Sequence, residues 1–463
     1  MSDLDPVLLA RLQFAFTISF HILFPTLTIG LGGFLAWCEA QWLRTGQPVY
    51  VHLYKFWVKV FALSFGMGVV SGIVLSYEFG LNFSEFSRIA GPVVGPLIAY
   101  EVLTAFFLEA GFLGIMLFGW DKVGPKLHFL ATCLVAGGTL VSAFWILSAN
   151  SWMQTPAGAV FDVAAGHFVT TDWFKAIFNP SFPYRLAHMV TASYLTTSIL
   201  VSGISAVYLL RGEHLAIARK GFSMGMWALM VLAPLQIVLG DAHGLEVFKY
   251  QPMKTAAIEA NWDRQPGAPL ILFALPDAKA EKNHLEISIP KLGSFINTHE
   301  MEGVLPGLKD VAAEDRPPVG LVFWAFRVMV GLGFCFLGIA LWGVLARLRG
   351  KLHDWVWLHR ASALFLPAGF VATVAGWWVA EIGRQPYTVY GLLRTKDSVS
   401  PVIDAQTIAV SLTAFLLVYG ALFGAYLYYM VKLIRRGPDL PLDPGDAPEA
   451  IQGARPGLVI PAE

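Results

Sequence analysis

The chain has 463 residues, of which 56% are hydrophobic and only 14% are charged, and its formal net charge is zero. A water-soluble domain of this composition would expose too much apolar surface, so we predict an integral membrane protein surrounded by lipid. The balanced charge also excludes the basic surface on which nucleic-acid binding depends, and we expect no nucleic-acid partner.

Nine stretches of the chain are apolar over about 20 residues or more, the length that a membrane-spanning helix requires. No basic segment or cleavage site of a removable signal peptide precedes the first stretch, so that span is expected to remain in the protein. The fold class is therefore an all-α integral membrane protein with about nine transmembrane helices. The predicted spans cover about 14–40, 56–77, 96–118, 128–148, 186–210, 220–240, 319–346, 357–380 and 406–433.

Basic residues are concentrated in alternate connections between these spans. By the positive-inside rule those connections are cytoplasmic, which places the N-terminus outside and the C-terminus inside the cell. The connection after the sixth span, 241–318, is long and polar, and a loop of this length between two spans usually has a function. We therefore expect this loop to be structured. The predicted divisions are spans one to six (1–240), the outer loop (241–318), spans seven to nine (319–436) and a cytoplasmic tail (437–463).

Ionisable side chains at membrane depth are costly and therefore mark functional sites by default. His21 lies in the first span, ten residues after Arg11, and His188 begins the fifth. Met329 follows Arg327 near the outer start of the seventh. A histidine and a methionine from two spans at one depth are the axial ligands of a low-spin haem b. Each residue alone has a plainer explanation, since a buried histidine can be a hydrogen-bonded packing residue and methionine often fills space.

Glu101 and Glu109 are eight residues apart on the third span. On a regular α-helix they would lie about 80° apart around the axis and about 12 Å apart along it. This arrangement suits two stations of a proton path, which Ser142 and His128 on the fourth span could extend.

In the outer loop, Lys254 and Glu259 are five residues apart, with Trp262 nearby. A charged donor, a carboxylate and an aromatic ring at the membrane interface could bind and deprotonate a quinol headgroup. The alternative is an amphipathic helix whose charged residues only face water.

The eighth span ends in a segment that contains Trp377, Glu381 and Arg384. Arg384 follows Glu381 at i+3, so both groups share one face of the helix if the helix continues that far. Glu381 could be the carboxylate ligand of a high-spin haem iron, with Arg384 on a haem propionate. The alternative is an ion pair that neutralises itself at the interface.

Five segments together resemble subunit I of the cytochrome bd-type quinol oxidases. They are RLQFAFT (11–17), FFLEA (106–110), WILSANSWMQ (145–154), KTAAIEA (254–260) and GRQP (383–386). The similarity covers most of the chain and includes the plan of nine spans. It implies a bacterial inner-membrane protein whose outer loop is a periplasmic quinol-binding loop.

The resemblance also implies roles for individual residues. His188 and Met329 would hold the low-spin haem b, while His21 and Glu381 would ligate two high-spin haems, one b and one d, in an order left open. The expected cofactor contacts are Arg11, His21, His188, Arg327, Met329, Trp377, Glu381 and Arg384. The expected catalytic residues are Glu101 beside the oxygen-reducing haem, Glu109 further along the proton route, Ser142, His128, and Lys254 and Glu259 facing quinol.

Two features depart from the family pattern. The outer loop is short, as in the short-loop branch that includes the cyanide-insensitive oxidases, and members of that branch can carry haem b in place of haem d. Tyr387 also stands where other members often have tryptophan.

The expected function is quinol:oxygen oxidoreduction, which builds a proton gradient by opposite sidedness rather than by a pump. The implied partners are a bd-type subunit II, with or without a single-span small subunit, together with oxygen and ubiquinol or menaquinol. A proton-coupled secondary transporter would explain buried acids without haem, but the sequence shows no inverted repeat and no paired Gly/Pro-broken spans. A di-haem cytochrome b that reduces quinones would place pairs of histidines on shared helices, and no single span here carries such a pair.

Overall fold

The computed structural model describes residues 5–438, so the predicted cytoplasmic tail lies almost wholly outside the described part. Within that part, nine helical segments are long and apolar enough to cross a membrane, which confirms the predicted fold class. The helices are α1 (Pro6–His21), α2 (Leu23–Thr45), α3 (Pro48–Leu81), α4 (Ser84–Glu101), α5 (Phe107–Phe118), α6 (Pro125–Gln154), α7 (Trp173–Ile177), α8 (Phe182–Arg211), α9 (Leu215–Tyr250), α10 (Pro252–Glu259), α11 (Leu292–Thr298), α12 (Val319–Leu348), α13 (Val356–Leu364), α14 (Ala368–Ile382) and α15 (Ala405–Arg436).

The first span is broken into α1 and α2 at Ile22. Pro25 has no backbone N–H, so it cannot donate the helical hydrogen bond to the carbonyl of His21, four residues earlier. His21 therefore ends α1 inside the span and is placed at an interruption of the helix.

The third span consists of α4 and α5 joined by a π-helical turn, Val102–Phe106. A π turn contains more residues than an α turn and is frequent at functional sites. The prediction of one regular α-helix from Glu101 to Glu109 is therefore wrong, and the angle of about 80° that followed from it does not apply.

The spans pack around α8, which is the most buried of them and contacts α2, α9, α13 and α14. α15 is the least buried and rests on α1 and α3. Most of its surface is left open to lipid or to a partner.

The connection after α6 contains one hairpin, and the loop after α9 contains two short paired ladders. α9 continues to Tyr250, ten residues past the predicted end of the span, and Glu246 in this extension is buried. The antiparallel pairs are β1–β2 (Ala159–Asp162, His167–Thr170), β3–β6 (Gln265–Pro266, Val304–Leu305), β4–β5 (Leu270–Asp277, Lys282–Ile289) and β7–β8 (Tyr387–Val389, Leu393–Arg394).

Candidate functional site

His188 on α8 and Met329 on α12 each lie against a glycine of a neighbouring helix. A Cβ added to Gly376 on α14 would lie 2.7 Å from Met329 Sδ, and one added to Gly240 on α9 would lie 3.4 Å from His188 Cε1. The amide nitrogen of Gln236 lies 3.1 Å from His188 Nε2, while His188 Nδ1 is buried without a partner. α8, α9, α12 and α14 pack together, so the two predicted ligands belong to one cluster of helices.

His21 contacts α3 through its ring. Its Nδ1 lies 2.9 Å from Ser71 Oγ, and a Cβ added to Gly72 would lie 3.2 Å from its Cε1. Arg11 is on the same helix but about 15 Å further along the axis, so α1 does not bring its guanidinium to the ring.

Glu381 lies among polar groups from α6, α8 and the end of α14. Asn150 Nδ2 donates to its Oε1 at 2.9 Å, and Gln154 Nε2 donates to the same atom at 3.3 Å. Arg384 Nη2 donates to Oε2 at 2.5 Å, and Arg185 Nη2 lies 4.0 Å from Oε1. The ion pair expected as the alternative is therefore present, as part of a larger buried cluster.

Several buried donors in this region have no hydrogen-bond partner among the residues that the structure describes. They are Arg185 Nε, Arg384 Nε and Nη1, Trp377 Nε1 and His188 Nδ1. Unpaired buried donors are rare in proteins, and a charged one is especially costly. Carboxylate groups of a bound cofactor would satisfy the arginine and tryptophan donors, so these donors fit haem propionates. The side chains of His188, Met329 and His21 are of the types that ligate haem iron.

Lys254 is buried, contrary to the solvated amphipathic helix that the sequence left open. Its Nζ donates to Gln154 Oε1 at 2.6 Å and to the carbonyl of Ala380 at 3.0 Å. Burial, and after it the charge of Arg185, holds the pKa of Lys254 well below its usual range. The amine can therefore lose its proton more readily than an exposed lysine.

Glu259 faces the other side of α10. Arg327 Nη2 donates to its Oε2 at 2.9 Å, and Asn297 Nδ2 donates to its Oε1 at 3.2 Å. Arg327 also donates to the carbonyls of Ile258 and Ile271, both at 2.7 Å. Through these hydrogen bonds Arg327, two residues before Met329 in the sequence, links the outer loop to α12.

A small cavity of about 150 Å³ lies next to this region. Gln154 lines it and also hydrogen-bonds both Lys254 and Glu381. Tyr390 lines it as well, and burial, followed by the charge of Tyr387, raises its pKa to about 12.

The two glutamates of the third span both face α6. Ser142 Oγ donates to Glu101 Oε1 at 2.7 Å. Glu109 is 7% exposed and packs against Gly138, where an added Cβ would lie 2.6 Å from Glu109 Cγ. One face of α6 therefore serves both carboxyl groups, as predicted for Ser142.

His128 belongs to a buried network that sequence reasoning missed. Its Nδ1 lies 2.7 Å from Glu39 Oε1, and Thr132 Oγ1 donates to Glu39 Oε2 at 2.6 Å. Tyr54 OH lies 3.0 Å from Thr132 Oγ1. Glu39 was overlooked because it falls at the edge of the first predicted span, where an acid is ordinary.

Three residues of the Glu381 cluster were also missed as individual candidates. Asn150 and Gln154 lie in the WILSANSWMQ segment, and Arg185 precedes His188 by three residues. Arginine three residues before an intramembrane histidine was a usable signal, because both then share one face of a helix.

Comparison with known proteins identifies the family. Residues 9–438 match the family model of cytochrome bd terminal oxidase subunit I. The chain is 33% identical over 502 aligned residues to cytochrome bd-II ubiquinol oxidase subunit 1 of Escherichia coli (strain K12), covering 94% of this chain and 97% of that protein. It is 36% identical over 447 residues to cytochrome bd ubiquinol oxidase subunit 1 of Bacillus subtilis (strain 168), covering 94% and 95%.

A solved structure has the same fold. The bd oxidase from Geobacillus thermodenitrificans superposes with a TM-score of 0.87 and 30% sequence identity, covering 95% of this chain and 100% of that chain. The family match spans nearly the whole chain and agrees with the nine spans and the buried donors. The chain therefore belongs to the cytochrome bd terminal oxidase subunit I family and is a membrane-spanning subunit of a bacterial respiratory oxidase.

Proposed function

We propose that this chain is the haem-carrying subunit of an electrogenic quinol oxidase that reduces oxygen to water. The observation that carries the proposal is the set of unpaired buried donors around Glu381 and His188, in a chain of this family. The haems, when bound, supply electron transfer and the site at which oxygen is reduced. The protein supplies their axial ligands and the groups that handle quinol and protons.

His188 and Met329 are the ligands of the low-spin haem b in this proposal. Gly376 and Gly240 support it, since a side chain at Gly376 would collide with Met329 Sδ and one at Gly240 would touch the His188 ring. His21 and Glu381 ligate the two high-spin haems, one of type b and the other of type d, or b in its place. Arg11, Arg327, Trp377 and Arg384 complete the cofactor contacts.

Quinol oxidation is assigned to the periplasmic side, at Lys254 and Glu259. The lowered pKa of Lys254 supports a role as proton acceptor, because a larger fraction of its amine is uncharged near neutral pH. The cavity beside Gln154 gives a headgroup a place next to Lys254. Glu259, paired with Arg327, connects the loop to the helix that carries Met329.

Protons for water formation come from the cytoplasm through α6 and its neighbours. The cytoplasmic end of this route is the His128–Glu39 pair. Glu109 is the next group along α6, and Glu101, hydrogen-bonded by Ser142, is the last. Protons released by quinol on one side and consumed from the other produce a gradient without a pump.

The proposed assembly contains a bd-type subunit II, with or without a single-span small subunit, and uses ubiquinol or menaquinol. The exposed apolar face of α15 supports a membrane partner, with Leu417 70% exposed. The N-terminus is periplasmic and the C-terminus is cytoplasmic. In this proposal, the transmembrane helices are 1–240 and 319–436, the periplasmic quinol-binding loop is 241–318, and the cytoplasmic tail is 437–463.

A reduced-minus-oxidised absorption spectrum of the detergent-purified complex, with and without CO, tests the proposal. Haem b bands with a chlorin band that shifts with CO would indicate that both haem b and haem d are bound. Haem b bands alone would indicate haem b in place of haem d. H188A is expected to lose the low-spin signal. An intact preparation without haem would refute the proposal and favour a proton-coupled transporter.

A further inference from the structure

Polar side chains recur every seven residues along the face of α3 that meets α1 and α15. They are Ser64, Ser71 and Glu78, which are 0%, 1% and 1% exposed. Seven residues make about two turns of an α-helix, so the three share one face and span about 21 Å along the axis. We call these residues and their hydrogen-bonding partners the polar seam.

Each level of the polar seam has a partner on a neighbouring helix. The hydrogen-bonded pairs are Ser64 Oγ with Tyr426 OH at 2.9 Å, Ser71 Oγ with His21 Nδ1 at 2.9 Å, and Thr17 Oγ1 with Glu78 Oε2 at 3.0 Å. The seam therefore passes through the interior of the bundle and contacts the predicted haem ligand His21.

At the Glu78 end of the polar seam, three buried polar atoms have no hydrogen-bond partner within the described range 5–438. They are Glu78 Oε1, Asn82 Nδ2 and Tyr419 OH. Asn82 follows Glu78 by one helical turn, and Tyr419 is close enough to Glu78 to interact with it electrostatically. Buried polar groups almost always have partners, and a cluster of two to four such groups is what an internal water molecule requires.

The polar groups of α1 beside Glu78 are neutral: the Thr17 hydroxyl donates to its Oε2, and the Gln13 amide lies nearby. A carboxylate at membrane depth without a cation is costly, so the protonated acid is the favoured form. The half-buried hydroxyl of Ser411 donates to Gln13 Oε1 at 3.0 Å. This bond extends the polar seam towards the end of the bundle where α15 begins.

We propose that the polar seam binds internal water at its Glu78 end, among Glu78, Asn82 and Tyr419, with Glu78 as a protonated acid that exchanges its proton with this water. Phe20 and Leu75, both buried and apolar, lie between the His21 level and the Glu78 level along α1 and α3. The water site is therefore separated from His21 by apolar side chains. The proposal stands on this geometry and does not depend on the proposed function.

Infrared spectroscopy of the complete complex in lipid nanodiscs, transferred from H₂O to D₂O, tests water binding. We expect a carboxylic-acid C=O band that shifts in D₂O, is lost in E78Q and is retained in E85Q. Glu85 is the matched control because it is an acid one helix further on that is paired with Arg88 and partly exposed. T17V keeps Glu78 but removes its hydrogen bond, so the band should move to higher frequency.

A spectrum of E78Q that equals the wild-type spectrum, or a Glu78 band that does not respond to D₂O, would overturn the proposal. If the wild-type complex itself oxidised no quinol, the proposed function would fail while the D₂O result still decided whether the seam binds water.

Discussion

Replacing Gly376 with alanine tests the position of Met329 without altering either proposed ligand of the low-spin haem. The added Cβ would lie 2.7 Å from Met329 Sδ, which is 0.7 Å short of the 3.4 Å at which ordinary contact begins. The sulfur must therefore move by a distance of that order. Metal–ligand bonds keep their lengths within about 0.2 Å, so the bond to iron would not survive.

The cost of G376A to folding should be small. Methionine has three rotatable bonds, and forcing an extra methyl group into a packed site costs about 1–3 kcal/mol, with the lower end expected here because a flexible side chain gives way. We predict a complex that assembles with little loss of thermal stability but with a reduced low-spin band in the reduced-minus-oxidised spectrum. Quinol-driven oxygen consumption should fall in parallel.

Two other glycines provide controls. G240A brings its Cβ to 3.4 Å from His188 Cε1 and should have a weaker effect, while Gly320 has nothing within 4 Å and G320A should resemble the wild type. A G376A complex with an unchanged low-spin band would refute the placement of Met329 as a ligand. Equal losses of the low-spin band in all three variants would show that disturbed helix packing, rather than displacement of the Met329 sulfur, is responsible.

Three further predictions concern protons. Folding lowers the pKa of Lys254 from 10.5, so the unfolded chain binds more protons than the folded one. The complex should therefore become more stable as the pH rises between the lowered pKa and about 10.5. Thermal unfolding measured against pH should show this increase in the wild type, and an equal increase in K254M would argue against Lys254 as its source. K254M should also impair oxidation of quinol more than that of an artificial donor, and equal losses would remove Lys254 from the quinol site. E39Q should slow oxygen reduction with unchanged haem bands, measured by oxygen electrode, whereas unimpaired turnover would exclude the Glu39–His128 pair from the proton route.

The sequence predicted the spans well because lipid imposes a simple rule, about 20 apolar residues for each crossing. It also named Ser142 as a possible extension of the route through Glu101 and Glu109, and in the structure Ser142 Oγ donates to Glu101 Oε1; a role in proton transfer stays a prediction. The ligand set itself stays a prediction, because axial ligation depends on a haem as well as on the chain.

The residues that the sequence did not reveal are those whose meaning depends on a distant partner. Glu39 is unremarkable until His128, 89 residues later, lies 2.7 Å away. Glu78 likewise needs Thr17, 61 residues earlier. For Lys254 the sequence left a water-facing helix open as an alternative to the quinol site, because its burial is produced by contacts with α6 and α14 that no local pattern reveals. Periodicity describes one helix at a time, and these contacts join two.

The π turn at Val102–Phe106 has a consequence for how this segment tolerates changes of length. A π turn holds one residue more than an α turn, so its five residues rotate the chain about as far as four residues of an α-helix, roughly 400°. Deleting one residue here would allow a regular α-helix to form with Glu101 and Glu109 in nearly their present relative directions, and the contact with Ser142 would be kept. A deletion in the regular helix beside the turn would instead rotate one carboxyl group by about 100° relative to the other, so this segment should tolerate the loss of a residue at the π turn better than next to it.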